Sequence, residues 1–347
     1  MKHFFRDLLA GVGVLILFCF SSCKEQTHYV REVGEVFHTL YHMTYASDSS
    51  AQAVVERALQ ELNYTANPFD STSLLYAINN NRTQVVNAGF IELWTAAREY
   101  AERSQGAYDV TVAPLVNAWG FGFAPSPWPD GEVPRSALDS ILSFVGYQKV
   151  TLRGDTLIKS DPRVQIDFSS IAKGMASDYV ARALQAQGIT SYMVEIGGEI
   201  AYAGVNPEGK PWRIGINKPL LDSLGLEHYN EYEEIIELPQ KGGGVATSGN
   251  YRNFKVRDDG TLYAHTIDPR SGRPMETDVL SATILHADCF RADALATASM
   301  ALGAEAAERM LQAIPGVEYL LIVASPLGAE EPYELRRSAH FPENRQK

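Results

Sequence analysis

The sequence predicts an α+β fold: a mixed, largely antiparallel sheet with packed helices, built as a single large domain. Three observations point there. From residue 148 onward, short β-branched or alternating runs mostly follow one another instead of alternating with helices. Helical periodicity marks separate segments before and within that region. No internal repeat, heptad, low-complexity tract or linker divides the chain, and 347 residues with 45% hydrophobic content suffice for a sizeable core.

The chain opens with a segment that lies outside the fold. Lys2 and Arg6 form a basic start, residues 8–20 are an apolar run too short for a comfortable membrane span, and Ser21-Ser22-Cys23 closes it with small residues. This order fits a secretory signal over 1–22. A cysteine in that position resembles a bacterial lipobox, which makes Cys23 the lipidated first residue of the mature chain; a plain signal peptide is the alternative. Residues 23–33 then read as a polar tether, 34–330 as the domain and 331–347 as a polar tail.

Within the domain, helices are expected at 51–64, behind Ser49 and Ser50 as caps, and at 91–104, stopped by Gly106. The Pro/Gly/Trp-rich stretch 120–134 reads as an irregular loop and 136–145 as a helix. Strands are expected at 148–152, 155–159 and 164–168, followed by a long helix over 171–187 that Gly188 closes. Further strands fall at 191–196, 199–204, 212–217, 233–238, 253–257, 262–267 and 279–286. Helices at 290–303 and 304–313 and a strand at 317–323 complete the domain.

Charge and cysteine narrow the functional classes. A net charge of −12 argues against a nucleic-acid surface and against unspecific binding to anionic lipid. Loss of Lys2, Arg6 and Asp7 with the signal shifts it to −13. An acidic protein that holds a polyphosphate needs local positive charge from a metal ion, a lysine or helix N-termini. Of the three cysteines, Cys19 leaves with the signal and Cys23 carries lipid, so Cys289 has no partner for an intrachain disulfide. Its apolar setting before a helix is that of a small hydrophobe.

Three segments carry candidate chemistry. In 167–174 (DFSSIAKG), a strand delivers Asp167, two serines stand ready to cap a helix, and Lys173 lies in its first turn. A cation there opposes the helix dipole, a local conflict that a bound anion would resolve; a solvated lysine is the plain alternative. In 291–297 (RADALAT), Asp293 and Thr297 stand four residues apart on one helix face. A carboxylate and a hydroxyl are hard oxygen ligands that suit Mg²⁺, although a solvated aspartate with a back-bonded threonine has the same spacing. In 263–272 (YAHTIDPRSG), a strand runs into a turn, where His265 can exchange a proton near neutral pH or simply bond within its strand. Arg270 either balances Asp268 or approaches a phosphate. No GxGxxG or GxxxxGK[ST] opens a helix, no His/Cys cluster has zinc spacing, and no GxSxG elbow is present.

Taken together the segments resemble the ApbE family, the FAD:protein FMN transferases, which are often exported lipoproteins. The resemblance spans about 34 to 323 and rests on 108–122 (YDVTVAPLVNAWGFG), 167–174, 194–199 (VEIGGE), 212–216 (WRIGI), 246–253 (ATSGNYRN), 265–272 and 292–298 (ADALATA), in order. It implies flavin contacts at Phe37, Phe69, Ala107, Tyr108, Asp109, Asp167, Lys173 and Ile267. It implies Mg²⁺ ligands at Asp293 and Thr297, with backbone carbonyls near Ser170 and Ala296, and it sets His265 beside the reacting phosphate. Two positions depart from the family pattern: Met-Gly-Thr reads Phe37-His38-Thr39 here, and Phe69 stands where tyrosine is frequent.

The implied activity is Mg²⁺-dependent cleavage of FAD as substrate. FMN would pass through a phosphoester bond to a threonine of a flavin-accepting subunit in a membrane redox complex of the Nqr/Rnf type, releasing AMP. His265 is the first candidate to take the threonine proton, and Asp293 with Thr297, Lys173 and the helix N-terminus would offset the phosphate charge. The implied location is the bacterial cell membrane, lipid-anchored on the periplasmic side. Two other readings remain open: a Mg²⁺-dependent FAD pyrophosphatase yielding FMN and AMP, and a non-catalytic periplasmic flavin-binding lipoprotein.

Overall fold

The computed structural model describes residues 27–122, 125–128, 133–219, 231–249, 254–256, 262–264, 266–275, 277–326 and 329–345. The signal over 1–22, Cys23 and His265 lie outside the described residues. Among the described residues, no helix is long and apolar enough to cross a membrane.

The chain begins with a hairpin, β1 (Tyr29–Val36) and β2 (Thr39–Ala46), whose turn holds Phe37 at φ 51° and His38 at φ 60°. Paired left-handed residues match the right-handed twist of the flanking strands, and glycine or asparagine usually occupies them. His38 therefore sits where a side chain costs backbone energy. Three helices follow: α1 (Gln52–Ala66), α2 (Leu74–Asn79) and α3 (Ala88–Arg103). Ser73 caps α2 by accepting from Tyr76 N at 3.0 Å, and Asn87 caps α3 by accepting from Phe90 N at 2.9 Å. Short α4 (Ala113–Ala118) and α5 (Arg135–Leu142) form a side lobe, tied down by the Trp119 indole donating to Gly272 O at 2.7 Å. Hairpin β3 (Val150–Arg153) and β4 (Thr156–Lys159) leads toward the long α6 (Ala172–Ala186).

Strands then dominate, as expected: β5 (Tyr192–Ile196), β6 (Glu199–Ala203), β7 (Arg213–Asn217), β8 (Tyr232–Glu237), β9 (Gly243–Gly249), β10 (Phe254–Val256), β11 (Leu262–Ala264), β12 (Ile267–Asp268), β13 (Arg273–Pro274) and β14 (Val279–His286). Helices α7 (Cys289–Leu302) and α8 (Ala304–Gln312) and strands β15 (Glu318–Ala324) and β16 (Tyr333–Arg337) close the chain. The central sheet has eight strands in the order β1-β2-β5-β6-β9-β14-β15-β16, each paired antiparallel to its neighbour. Side chains on successive residues face opposite ways. Val194, Ala201 and Ile284 therefore join the helix-side core, while Tyr202, Val245 and Leu285 pack under the β7–β8 hairpin with Trp212 and Ile236.

Helix α7 is the centre of the helical layer. Its residues are mostly alanine and other small or apolar types, buried on nearly every side, which marks a core helix rather than an amphipathic one. Two glycines permit this packing. A Cβ on Gly244 would lie 2.2 Å from Cys289 Cα, and one on Gly174 would lie 2.6 Å from both Cys289 O and Phe290 Cα. The first turn of α7 is thus pressed between β9 and the first turn of α6.

Several boundaries and short elements differ from the sequence reading. Residues 29–33, read as tether, form part of β1, and the tail read at 331–347 contributes β16 to the main sheet. Strand β9 was hidden by its glycines, and short α2 and α4 by their length; sheet pairing on both sides and local caps override weak propensity. The segment 164–168 joins no strand ladder among the described residues. The Asn79 amide instead pairs with the backbone of Ile166, and Asp167 N donates to Val110 O at 2.8 Å.

Candidate active site

A cleft of about 1060 Å³ opens between the helical layer, the side lobe and the β7 edge. Pockets for small molecules and cofactors typically reach about 300–1,000 Å³, so this one is large enough for a dinucleotide. Its inner wall is built from the N-termini of α6 and β6 and from the first turns of α7.

Here the segments singled out in the sequence meet. Lys173 Nζ lies 2.8 Å from Glu199 Oε1 and 3.8 Å from Asp293 Oδ2. Asp293 Oδ2 also accepts from Gly174 N at 3.1 Å. One turn further along α7, the Thr297 hydroxyl stands 3.3 Å from Ser248 Oγ on β9, and both line the cleft. The arrangement follows from the helices themselves: a four-residue step returns to the same face, so the acid and the alcohol point together.

The electrostatics of this wall are unbalanced. Asp293 and Glu199 are almost fully buried, 2% and 4% exposed, and share a single ammonium. Burial pushes the Glu199 carboxyl up to about 7, with Asp293 adding to the rise and Lys173 opposing it. Burial likewise raises Asp293, against Lys173 and the Gly174 N–H. Burial disfavours the Lys173 ammonium, but the two carboxylates outweigh it and hold the group above the ordinary lysine range. Glu199 Oε2 is buried with no hydrogen-bond partner among the described residues. An orphaned carboxylate oxygen beside a second acid, with one base between them, is a place that lacks positive charge. A hard divalent cation fits that deficit.

Other expected residues take varied places. Phe69, Ala107, Tyr108, Asp109, Asp167, Ser170 and Ile267 all line the cleft. Phe69 is half exposed at its rim, and the buried Tyr108 hydroxyl accepts from Ser170 Oγ at 3.1 Å. Asp109 has both carboxylate oxygens engaged: Oδ1 accepts from Thr111 N and Oγ1 at 2.8 Å, and Oδ2 from Tyr147 N at 2.6 Å. Its first duty is to fold the loop beneath the cleft. Ala296 is buried in α7, so only its backbone is available beside Thr297. Phe37 packs against the main core at the hairpin turn and is not among the cleft-lining residues. Arg270 pairs with Asp268 at 2.8 Å, the turn salt bridge of the two alternatives.

Glu199 received no role from its sequence position. Its signal was the acid that directly follows Gly197-Gly198, where the sharp turn between β5 and β6 swings a strand's first side chain into the cleft.

The α+β domain places a buried cluster of acids, lysine and hydroxyl at the wall of a large cleft, and its fold is that of flavin transferases of known structure. The chain superimposes on the flavin transferase ApbE of Vibrio cholerae with a TM-score of 0.78 at 34% identity, covering 90% of this chain and 98% of that one. Against the apo flavinyl transferase ApbE of Pseudomonas stutzeri the TM-score is 0.76 at 31% identity, covering 90% and 96%. Among curated relatives, an FAD:protein FMN transferase of Vibrio cholerae is 36% identical over 94% of this chain and 96% of its own, and one of Haemophilus influenzae 34% over 91% and 93%. The ApbE family model matches residues 37–321. The chain belongs to the ApbE family.

Proposed function

We propose that this protein is a Mg²⁺-dependent FAD:protein FMN transferase. The observation that carries the reading is the convergence of Lys173, Glu199, Asp293 and Thr297 on one cleft wall, in a chain whose relatives over nearly their whole length are named for that reaction. Asp293 and Thr297 would hold Mg²⁺, with backbone carbonyls near Ser170 and Ala296. When bound, Mg²⁺ neutralises pyrophosphate charge and makes the phosphorus more electrophilic.

The chain's own groups do the rest. Lys173 and the N-terminus of α6 face the anionic phosphates of FAD and stabilise the charge that builds on the departing AMP. Phe69, Tyr108 and Ile267 offer apolar and aromatic surface to the flavin end. The acceptor threonine must surrender a proton as its oxygen attacks, and His265, from the HTIDPRSG segment, is the candidate base. The acceptor would be a subunit of a membrane redox complex of the Nqr/Rnf type. Lipid on Cys23 would confine enzyme and acceptor to the periplasmic face of one membrane and raise their encounter rate.

Purified protein incubated with FAD, Mg²⁺ and a candidate acceptor tests the reading. Fluorescent flavin fixed covalently to the acceptor, with AMP released in equal amount, is the expected result. Free FMN and AMP without labelled acceptor would make the protein a pyrophosphatase, and unchanged FAD would make it a flavin-binding protein.

A further inference from the structure

Helices α6 and α7 both lack a side-chain cap from the residue that precedes them. Neither Ile171 before α6 nor Asp288 before α7 makes a side-chain capping bond. Each helix instead receives a carboxylate from the other. Asp293, on α7, accepts from Gly174 N in the first turn of α6 at 3.1 Å. Asp178, on α6, accepts from the first two N–H groups of α7: Cys289 N on Oδ1 at 3.1 Å and Phe290 N on Oδ2 at 3.0 Å.

The two contacts close a ring. Gly174 to Asp178 is four residues along α6, and Cys289 to Asp293 is four residues along α7. One turn of each helix is therefore bounded at both ends by bonds to the other helix. Gly174 makes the approach sterically feasible, because any Cβ there would collide with the α7 backbone. Asp178 itself does not reach the main cleft. It lines a separate cavity of about 510 Å³ behind α7, near Arg182 and Asp288, where it is 8% exposed.

We propose that Asp178 is a positioning residue of the active site, which by holding both leading N–H groups of α7 fixes where Asp293 and Thr297 stand relative to Lys173. A bidentate carboxylate on two adjacent N–H groups sets position and direction together, whereas one hydrogen bond leaves a pivot. Freed at that end, α7 would shift by a fraction of an ångström to an ångström, enough to cost about 10²-fold in rate when the displaced groups carry the chemistry. The kinetic consequence rests on the transferase reading; the geometric one does not.

The test uses Asp178→Asn and Asp178→Ala in the full chain, well below their melting temperatures. Asparagine keeps the shape and one acceptor but turns a donor toward an N–H. Both variants should bind FAD in EDTA within about threefold of wild type while kcat for FMN transfer falls about tenfold or more. In protein labelled with ¹⁵N-glycine, the Gly174 amide resonance should leave its wild-type position and move toward that of Asp293→Asn. Wild-type kcat and an unmoved Gly174 resonance, with only a lower melting temperature, would overturn the proposal and leave Asp178 a stabilising cap. If wild-type protein transfers no FMN at all, the functional reading fails, and the Gly174 resonance alone still decides this one.

Discussion

Replacing Asp293 by alanine separates chemistry from folding. The side chain is 2% exposed, and one of its oxygens accepts from Gly174 N and faces Lys173 at 3.8 Å. Its loss removes a charge-assisted hydrogen bond, about 1.5–3 kcal/mol, and leaves the Gly174 N–H unpaired. Against that, the wall passes from two buried carboxylates on one ammonium to one on one, since Lys173 keeps Glu199 at 2.8 Å. Relief of the repulsion between Glu199 and Asp293 offsets part of the cost. The expected net loss is about 1–2 kcal/mol, a shift in melting temperature of only a few degrees for a domain this large. Catalysis has no such offset: removing one preorganised charge at the reacting phosphate costs about 10²–10³ in kcat. The assay pairs calorimetry with release of AMP and labelling of acceptor at saturating Mg²⁺. Activity within about tenfold of wild type would remove Asp293 from the reaction centre. Outright unfolding would show that the charge bookkeeping at this wall is mistaken.

Two further outcomes follow from the same geometry, and a third from the proposed lipid anchor. Glu199 ionises at about 7 in the fold instead of near 4.5, so its protonated form is the favoured one and the fold is burdened as pH rises through that interval. In EDTA, the melting temperature of wild type should therefore fall relative to Glu199→Gln between pH about 4.5 and about 7, and Mg²⁺ should shrink the gap; parallel curves would refute the assignment. Gly174→Ala places a Cβ 2.6 Å from the α7 backbone and should cost about 1–3 kcal/mol together with most of the activity, whereas a variant with wild-type stability by denaturant titration would deny the close approach of the helices. Cys23→Ala should move the protein from the detergent phase to the aqueous phase on partition of cells and abolish labelling by radioactive fatty acid, and unchanged partition would remove the lipid anchor.

Much of the site was legible because it is helical. Lys173 in the first turn of α6, and Asp293 and Thr297 one turn apart on α7, are fixed by a period that needs no knowledge of the rest of the chain. Glu199 was not legible. Its entry into the cluster depends on a turn between two strands and on a lysine 26 residues earlier in the chain. Asp109 was legible as a cleft residue but not as a loop-folding one, because Tyr147 N, its partner, comes from 38 residues away. The placing of Phe37 was not legible either, for the same reason. A hairpin turn can aim its side chain at a cleft or at a core, and only the packing of β1–β2 against the helices chose the core.

The sequence by itself determined the fold class, the long helices and the acid–alcohol and lysine positions on them, since these are local properties of spacing, capping and charge. The tertiary structure decided which strands share the sheet, with β1, β9 and β16 recruited despite weak signals, and it decided the charge balance of the cleft. Both depend on partners far along the chain: a strand is stabilised by neighbours it does not choose, and a buried carboxylate takes its energy from whatever charge the fold brings within a few ångströms.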